Sequence, residues 1–285
     1  MYQFPIGVML ESFRMDTVSA IKKAASIGAN GLQMYATRGE HAPENMNAAA
    51  RRELLDIVKS NGLCFSALCG DLGRGFGNAE LNPSLIEKSK RIVEMALELE
   101  TNIVTTHIGV VPEDPSHPRY QIMQAACFEL AEFADSVGAH FAIETGPETS
   151  AVLKNFLDGL HSTGVAVNLD PANLVMVTGD DPVQAVHNLS KYIVHTHAKD
   201  GVLLVRTNPE MIYGVLEKTE EYIREGAHFK EVPLGQGSVP FDGYLKALDE
   251  IGYKGFLTIE REVGEDPAGD ILLAKNFLMD AIARG

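Results

Sequence analysis

Short apolar runs alternate with amphipathic helical patterns along almost the whole chain. Eight runs have the length and composition of strands; they span residues 6–10, 31–34, 64–68, 102–107, 141–144, 165–170, 192–197 and 256–260. Between them, apolar residues recur three or four positions apart, which is typical of helices with one buried face. These patterns predict helices over residues 16–28, 47–61, 82–100, 120–138 and 152–160, one after Asp181-Pro182, and a last one that ends near residue 282.

The regular alternation of strand and helix predicts a closed α/β barrel. The strands are often apolar on both faces, as parallel strands buried between two layers should be. Eight units exceed the roughly five or six strands of a usual open, doubly wound sheet and match a (β/α)8 TIM barrel. A length of 285 residues suits one such barrel. We therefore expect a single barrel domain over residues 1–285.

One polar stretch, residues 201–236, interrupts this rhythm. It is rich in Glu and Lys, and apolar residues within it predict a helix over residues 209–224. It follows the seventh strand, at the end where barrels keep their active sites. Two interpretations remain open: a lid or oligomer contact, or a helix packed on the barrel rim.

Composition and charge narrow the classes of partner. No apolar run approaches the ~20 residues needed to cross a bilayer. The N-terminal residues also lack the basic start of a signal peptide, so we expect a cytoplasmic protein with no membrane partner. The net charge of −15 repels phosphate backbones and makes a nucleic-acid partner unexpected. A homo-oligomer remains open, because no feature of the sequence decides it.

The cysteines and most histidines predict structural roles. Three cysteines without C-x-x-C spacing fit neither a disulfide framework nor a zinc finger. We expect Cys64 and Cys127 to be small core residues and leave Cys69, at a strand end, undecided. We expect surface positions for His41, His117, His140, His161, His187 and His228.

Titratable side chains end four consecutive strands of the predicted barrel, the fifth to the eighth. They are Glu144, Asp170, His197 and Glu260. The carboxyl ends of barrel strands meet at one face, so these groups should converge there. Three carboxylates packed together would repel one another without a cation. One divalent ion held by three carboxylates and an imidazole is therefore expected, with Mn²⁺ ahead of Mg²⁺, Co²⁺ or Zn²⁺.

Around these residues the chain resembles the sugar phosphate isomerase/epimerase family of the xylose isomerase-like TIM barrels. The resemblance covers nearly the whole chain. It is strongest in Ile143-Glu144-Thr145-Gly146, Leu169-Asp170-Pro171-Ala172-Asn173-Leu174, His195-Thr196-His197-Ala198-Lys199-Asp200, and the stretch from Leu234-Gly235-Gln236-Gly237 to Ile259-Glu260.

The resemblance implies both the metal ligands and the reaction. It implies that Glu144, Asp170, His197 and Glu260 bind the metal, and that Glu144 and Glu260 also move the substrate proton. It implies an isomerase or epimerase that acts on a sugar, sugar phosphate or cyclitol through an enediolate-type proton transfer. Loss of a β-hydroxyl group instead would give a dehydratase, as in related inosose dehydratases.

One position departs from the family pattern and bears on the alternatives. Many of the sugar epimerases carry a substrate-binding histidine where this chain has Asn173. The related endonuclease IV type needs a histidine-rich trinuclear zinc site, and Asn173 also replaces one of those histidines. A DNA repair hydrolase is therefore less favoured. A non-catalytic barrel is also less favoured, because a binding module need not keep the facing carboxylates of the four-ligand set.

Several residues near strand ends are candidate substrate contacts. His107 ends the fourth strand, and Lys199 follows the ligand histidine. Arg74 lies in the glycine-rich loop 70–75, which lacks the P-loop Lys-Ser/Thr. We assign substrate binding to His107, Asn173, Lys199 and Arg74. For Phe13, Tyr35 and Phe76, either stacking on a sugar or packing in the core or a loop remains open. We expect His195 to lie deeper in the barrel. Lys199 and Asp200 either contact the substrate or form a salt bridge with each other at the rim.

Overall fold

In the computed structural model, residues 2–285 are described, and eight parallel strands close into a barrel. Hydrogen bonding runs around the barrel in the order β1-β10-β7-β6-β5-β4-β3-β2. These strands are β1 Ile6–Met9, β2 Gly31–Tyr35, β3 Cys64–Cys69, β4 Ile103–Thr106, β5 His140–Glu144, β6 Val165–Leu169, β7 Ile193–Ala198 and β10 Leu257–Ile259. The predicted (β/α)8 barrel is confirmed.

Helices surround the barrel, and the longer ones turn an apolar face towards the strands. They are α1 Thr17–Ser26, α2 Ala48–Ser60, α3 Asn82–Glu98, α4 Pro118–Ser136, α5 Ser150–Asp158, α6 Pro171–Asn173, α7 Pro182–Asn188, α8 Pro209–Ile212, α9 Glu220–Glu225, α10 Phe241–Glu250 and α11 Pro267–Arg284. Short 3-10 turns, Leu10–Phe13 and Gly39–His41, follow β1 and β2, and a π-helical turn, Leu174–Thr178, extends α6. No helix among the described residues is long and apolar enough to span a membrane.

Side-chain caps fix where several helices begin. The Asp16 carboxylate accepts a hydrogen bond from the backbone N–H of Ser19, and the Asn47 side chain accepts from two N–H groups of α2. These contacts satisfy donors that the first helical turn leaves unpaired. Helix starts are thus set locally by the sequence, which is why α1 and α2 begin within a residue or two of their predicted positions.

The predicted helix over residues 209–224 is wrong. The stretch contains α8 and α9, separated by residues 213–219, and Gly214 adopts a positive φ of 71° there. A second feature was not predicted: β8 Asp200–Leu203 pairs antiparallel with β9 Phe229–Val232. This hairpin forms the base of the insertion, and its two short helices lie between the paired strands in sequence.

The Asp200 carboxylate fixes the base of the insertion. It is buried and accepts hydrogen bonds from the backbone N–H groups of Gly201, Gly235, Gly237 and Val239, at 2.9–3.1 Å. A Cβ on Gly237 would lie 2.1 Å from this carboxylate, so only glycine fits there. The expected rim salt bridge between Asp200 and Lys199 does not form, because the carboxylate serves backbone donors instead.

Two expectations about burial are wrong. Cys64 is exposed rather than a core residue, because it is the first residue of β3 and lies at the open strand end. His228 is buried rather than on the surface, and its ring lies 4.0 Å from the ring of Tyr222 within the insertion. Cys127 is buried as expected, and Cys69 is buried too.

Candidate metal centre

Neighbouring strands bring the four predicted ligands together at the carboxyl end of the barrel. Glu144 ends β5, Asp170 directly follows β6, His197 lies in β7, and Glu260 directly follows β10. Each offers one ligand atom, and these atoms all lie within 4.8 Å of one another. All four side chains are buried. Among residues 2–285, this is the one such group of His, Cys, Asp and Glu side chains.

The imidazole of His197 is oriented by Gln33 of β2. Its Nε2 lies 2.9 Å from Gln33 Oε1, which can only accept, and 3.3 Å from the Asn168 amide nitrogen, which can only donate; the shorter contact assigns the proton to Nε2. The Nδ1 atom then faces the carboxylates, 3.4 Å from Glu260, 3.5 Å from Asp170 and 3.6 Å from Glu144. Gln33 is in turn held by a 2.8 Å hydrogen bond from its amide to the Thr105 hydroxyl.

The Asp170 carboxylate is fixed by backbone donors on one oxygen and free on the other. Its Oδ1 accepts from the N–H groups of Ala172 and Asn173, at 2.8 and 3.0 Å. Its Oδ2 is buried and makes no hydrogen bond, and the same is true of His197 Nδ1. Buried polar atoms almost always have a partner. Two unpartnered ligand atoms pointing at one spot fit a bound cation.

Amide donors hold Glu144 in position. Asn168 and Asn173 each donate to one of its oxygens at 3.1 Å, and His107 Nε2 lies 3.4 Å away. Burial would raise the pKa of Glu144, but the nearby imidazoles of His107 and His197 outweigh it and lower the pKa below its ordinary value. This carboxylate is therefore ionised at neutral pH.

Lys199 lies beside the fourth ligand, Glu260. Its ammonium group donates a 2.8 Å hydrogen bond to Glu260 Oε2, pairs with Glu262, and lies 4.0 Å from Asp170 Oδ2. Burial would lower the pKa of Lys199, but the surrounding carboxylates raise it well above its usual value. Lys199 therefore carries a positive charge that stabilises the acidic cluster.

The charge balance of the cluster also fits a divalent ion. Burial would lower the pKa of His197, but the carboxylates of Glu260 and Glu144 raise it well above its usual value. Without a metal, the imidazole therefore binds a proton between three carboxylates. A divalent cation at Nδ1 would replace that proton and satisfy the same negative charges. The oxygen-rich donor set with one imidazole suits ions such as Mn²⁺ or Mg²⁺ better than thiolate-seeking metals.

A neutral histidine and an asparagine support the site from below. His195 lies deeper in the barrel, as expected, with Nδ1 2.8 Å from Asn168 Oδ1 and Nε2 2.9 Å from the Thr258 hydroxyl. Burial lowers its pKa well below the usual value. Asn168 thus connects His195 to Glu144, a role that sequence reasoning missed. Gln33 and Asn168 are each a polar residue inside an otherwise apolar strand, and that pattern could have indicated their role in the sequence.

A cavity of about 500 Å³ opens above the cluster. Its walls include three of the predicted substrate contacts, His107, Asn173 and Lys199. The insertion contributes Ile212 and Tyr213, and the ring of Tyr213 lies 5.8 Å from that of His107. Burial raises the pKa of Tyr213, so its phenol stays protonated. The insertion therefore covers part of the site.

The remaining predicted contacts are divided among this cavity, the core and a neighbouring cavity. Tyr35 lines the cavity, whereas Phe13 and Phe76 are buried in the core. Arg74 is exposed and does not line the cavity above the cluster; it belongs to a neighbouring one.

Comparisons with known proteins agree with this architecture. A crystal structure of a xylose isomerase domain protein from Planctomyces limnophilus is 24% identical, with a TM-score of 0.79 and 99% of each chain covered. The 3-keto-D-glucoside 4-epimerase YcjR from E. coli is 16% identical, with a TM-score of 0.73, 97% of this chain and 99% of that chain covered.

Sequence comparisons give the family. An inosose dehydratase of Clostridium beijerinckii is 29% identical over 136 residues, which is 45% of this chain and 40% of the dehydratase. The profile of the xylose isomerase-like TIM barrel family matches residues 21–280. Because that match spans most of the sequence, this chain belongs to the xylose isomerase-like TIM barrel family.

Proposed function

We propose that this protein is a divalent-metal-dependent isomerase or epimerase acting on a sugar, sugar phosphate or cyclitol. One observation carries the proposal: the unpartnered, buried atoms Asp170 Oδ2 and His197 Nδ1 lie among Glu144 and Glu260, below an open cavity. These two atoms lie 3.5 Å apart, so without a cation only a proton on Nδ1, held between the carboxylates, would satisfy them. The four side chains would hold the ion, with Mn²⁺ as the first choice.

When bound, the cation would polarise a substrate carbonyl group and acidify the adjacent C–H bond. Glu144 and Glu260 offer the carboxylates that would move this proton. Glu144 is ionised at neutral pH, so one of its oxygens can accept a proton. Glu260 accepts a 2.8 Å hydrogen bond from the ammonium group of Lys199, which holds it beside the other three side chains. The substrate after proton loss would be an enediolate.

The fate of the proton distinguishes the reactions. Its return to the neighbouring carbon is isomerisation, and its return to the opposite face of the same carbon is epimerisation. His107 and Asn173 would bind substrate hydroxyl groups, since both line the cavity and contact Glu144. Tyr213 and Ile212 of the insertion would limit the entry of water while the proton is held.

A dehydratase is the second candidate. It is favoured by the similarity to the Clostridium inosose dehydratase over 136 residues. In that reaction the same proton abstraction is followed by the departure of a β-hydroxyl group, which needs a proton donor. The carboxyl group of Glu144 or Glu260 that has taken up the proton can return it to the departing hydroxyl group, and the Lys199 ammonium group in the cavity wall can donate a hydrogen bond to that oxygen.

Solvent hydrogen exchange tests the proposal even while the substrate is unidentified. The Mn²⁺-reconstituted protein is incubated in D₂O with ketoses, ketose phosphates and cyclitol ketones, and the products are analysed by NMR and mass spectrometry. We expect deuterium at the carbon next to the carbonyl of one class, with an isomer or epimer as the product. A product lighter by one water molecule would identify the dehydratase instead.

The variants Glu144→Gln and Glu260→Gln should each abolish the exchange, because neither amide accepts a proton near neutral pH. Glu98→Gln, which changes a surface carboxylate paired with Arg51, is the matched control and should exchange as the wild type does. Exchange that persists in both cluster variants would refute the assignment of these two carboxylates.

A further inference from the structure

A second cavity, of about 630 Å³, opens next to the metal centre at the same end of the barrel. It lies between the segments that follow β2 and β3 and the first turns of α3. Three cationic side chains line it: Arg38, Arg74 and Lys88. We call these three residues and their surroundings the cationic cavity.

The charge of this cavity is opposite to that of the molecule. The three cations face one carboxylate, Asp71, against a net charge of −15 for the whole chain. Among residues 2–285, none of the three has a carboxylate oxygen within 4.0 Å. Unneutralised cations gathered in a concave site concentrate field lines and attract anions. The hydroxyl groups of Thr37 and Ser84 add neutral donors to the same walls.

The cationic cavity adjoins the cavity above the metal centre. Asp71 lines both cavities. Tyr35 and Cys69, which line the cavity above the metal ligands, are the last residues of β2 and β3, and the cationic segments follow directly. The guanidinium group of Arg38 lies 5.7 Å from the ring centroid of Tyr35. The two cavities therefore share a wall at the carboxyl ends of β2 and β3.

The loop that carries Arg74 is held in place by its backbone. Gly73 N–H donates to Asp71 Oδ1 at 2.8 Å, and Phe76 N–H donates to Ile108 O at 2.8 Å. Gly75 has a φ of 58°, and a Cβ there would lie 2.6 Å from Ile108 O. The first contact also occupies one oxygen of Asp71, which weakens its repulsion of an anion.

We propose that the cationic cavity binds the phosphate monoester group of a substrate whose carbonyl end reaches the metal centre. This inference rests on the proposed function, and it selects sugar phosphates from the substrate classes named there. A dianionic phosphate group matches two guanidinium groups and one ammonium group, since guanidinium binds two phosphate oxygens at once. All three cations are exposed, so water solvates them in the absence of an anion, and a neutral sugar would gain little from their charge.

Calorimetric titration with inorganic phosphate at low salt tests the site by itself. We expect the wild type to bind phosphate with a Kd on the order of 1 mM, and each removed cation to weaken binding about tenfold. The triple variant Arg38→Gln/Arg74→Gln/Lys88→Gln should therefore show no binding. Three exposed cations outside both cavities give a control with the same charge change: Lys22→Gln/Arg52→Gln/Arg91→Gln.

The two triple variants decide whether the effect is local. Equal loss of phosphate binding in both would overturn the proposal, because net charge would then explain it. Absence of phosphate binding to the wild type would overturn it as well. In the supporting outcome, the control retains the wild-type Kd, and a pentulose 5-phosphate binds the Mn²⁺-loaded wild type at least tenfold more tightly than the parent pentulose does.

His197→Ala separates this inference from the proposed function. The residue lies outside the cationic cavity, so this variant should lose the metal and keep the binding of inorganic phosphate. If the wild type binds phosphate but no metal, the anion site is supported and the proposed function is refuted. If the wild type converts unphosphorylated sugars but binds no phosphate, the proposed function is supported and the phosphate site is refuted.

Discussion

Gln33 provides a sharp test of how the metal ligands are oriented. This residue is fully buried in β2, accepts from His197 Nε2 at 2.9 Å, and donates to the Thr105 hydroxyl at 2.8 Å. The substitution Gln33→Leu keeps the approximate volume of the side chain and removes both contacts. It does not change any of the four metal ligands.

The expected magnitude follows from these two contacts. Loss of a partner that orients a ligand histidine typically weakens metal affinity about 10–100-fold, or about 1.4–2.8 kcal/mol. The metal-free fold should also lose about 1–3 kcal/mol of unfolding free energy, because the Nε2–H of His197 is left buried without an acceptor. We therefore expect a folded variant that binds metal distinctly more weakly.

Competition with a fluorescent chelator gives the Mn²⁺ affinity, and urea unfolding gives the stability. Thr101→Val is the matched control: Thr101 is also buried, and its hydroxyl donates to Ser66 O without contacting any residue of the site. That variant should lose stability and keep the wild-type metal affinity. Wild-type metal affinity in a folded Gln33→Leu protein would refute the reasoning, as would an equal loss of affinity in Thr101→Val.

Three further predictions concern the surroundings of the site. Burial raises the pKa of Glu148 to about 8, so its carboxyl group binds a proton more tightly in the folded state than in the unfolded chain. The free energy of unfolding should therefore fall as pH rises from about 4.5 to about 8. Urea unfolding of Glu148→Gln across this range should show a smaller decrease than the wild type. Asp200→Ala removes the acceptor of four backbone N–H groups and should lower the free energy of unfolding by about 2–4 kcal/mol. Protease cleavage within residues 201–236 should become faster. An unchanged cleavage rate would contradict the role of Asp200 in fixing the base of the insertion. In Gly146→Ala the new Cβ would meet Asn173 Cβ at 2.6 Å, so Asn173 should shift from Glu144 and metal affinity should fall several-fold in the chelator assay.

The barrel was predictable because its local signals agree with its tertiary structure. The apolar strands, side-chain caps such as Asp16, and the spacing of helical patterns all indicate one alternating architecture. The insertion was not predictable in the same way. The residues that predicted one helix over 209–224 are divided by Gly214, and the β8–β9 hairpin depends on the Asp200 carboxylate and distant backbone donors.

The convergence of the four proposed ligands was predictable because each ends an apolar run, and barrel topology brings such ends together. The residues that orient them were not. Gln33 and Asn168 face the interior of the barrel, and their partners, His197 and Glu144, lie 164 and 24 positions away. Pairing at that separation depends on strand register, which no local pattern specifies. The cationic cavity likewise joins Arg38, Arg74 and Lys88 from separate segments.

Metal stoichiometry tests most directly whether Glu144, Asp170, His197 and Glu260 bind one divalent cation. The purified chain is dialysed against Mn²⁺, Co²⁺ or Zn²⁺, and bound metal is measured by elemental analysis beside His197→Ala, with circular dichroism to confirm that the variant folds. The account predicts about one divalent ion per chain in the wild type and none in the folded variant. No bound ion with any of the three metals, or about three zinc ions per chain, would contradict it.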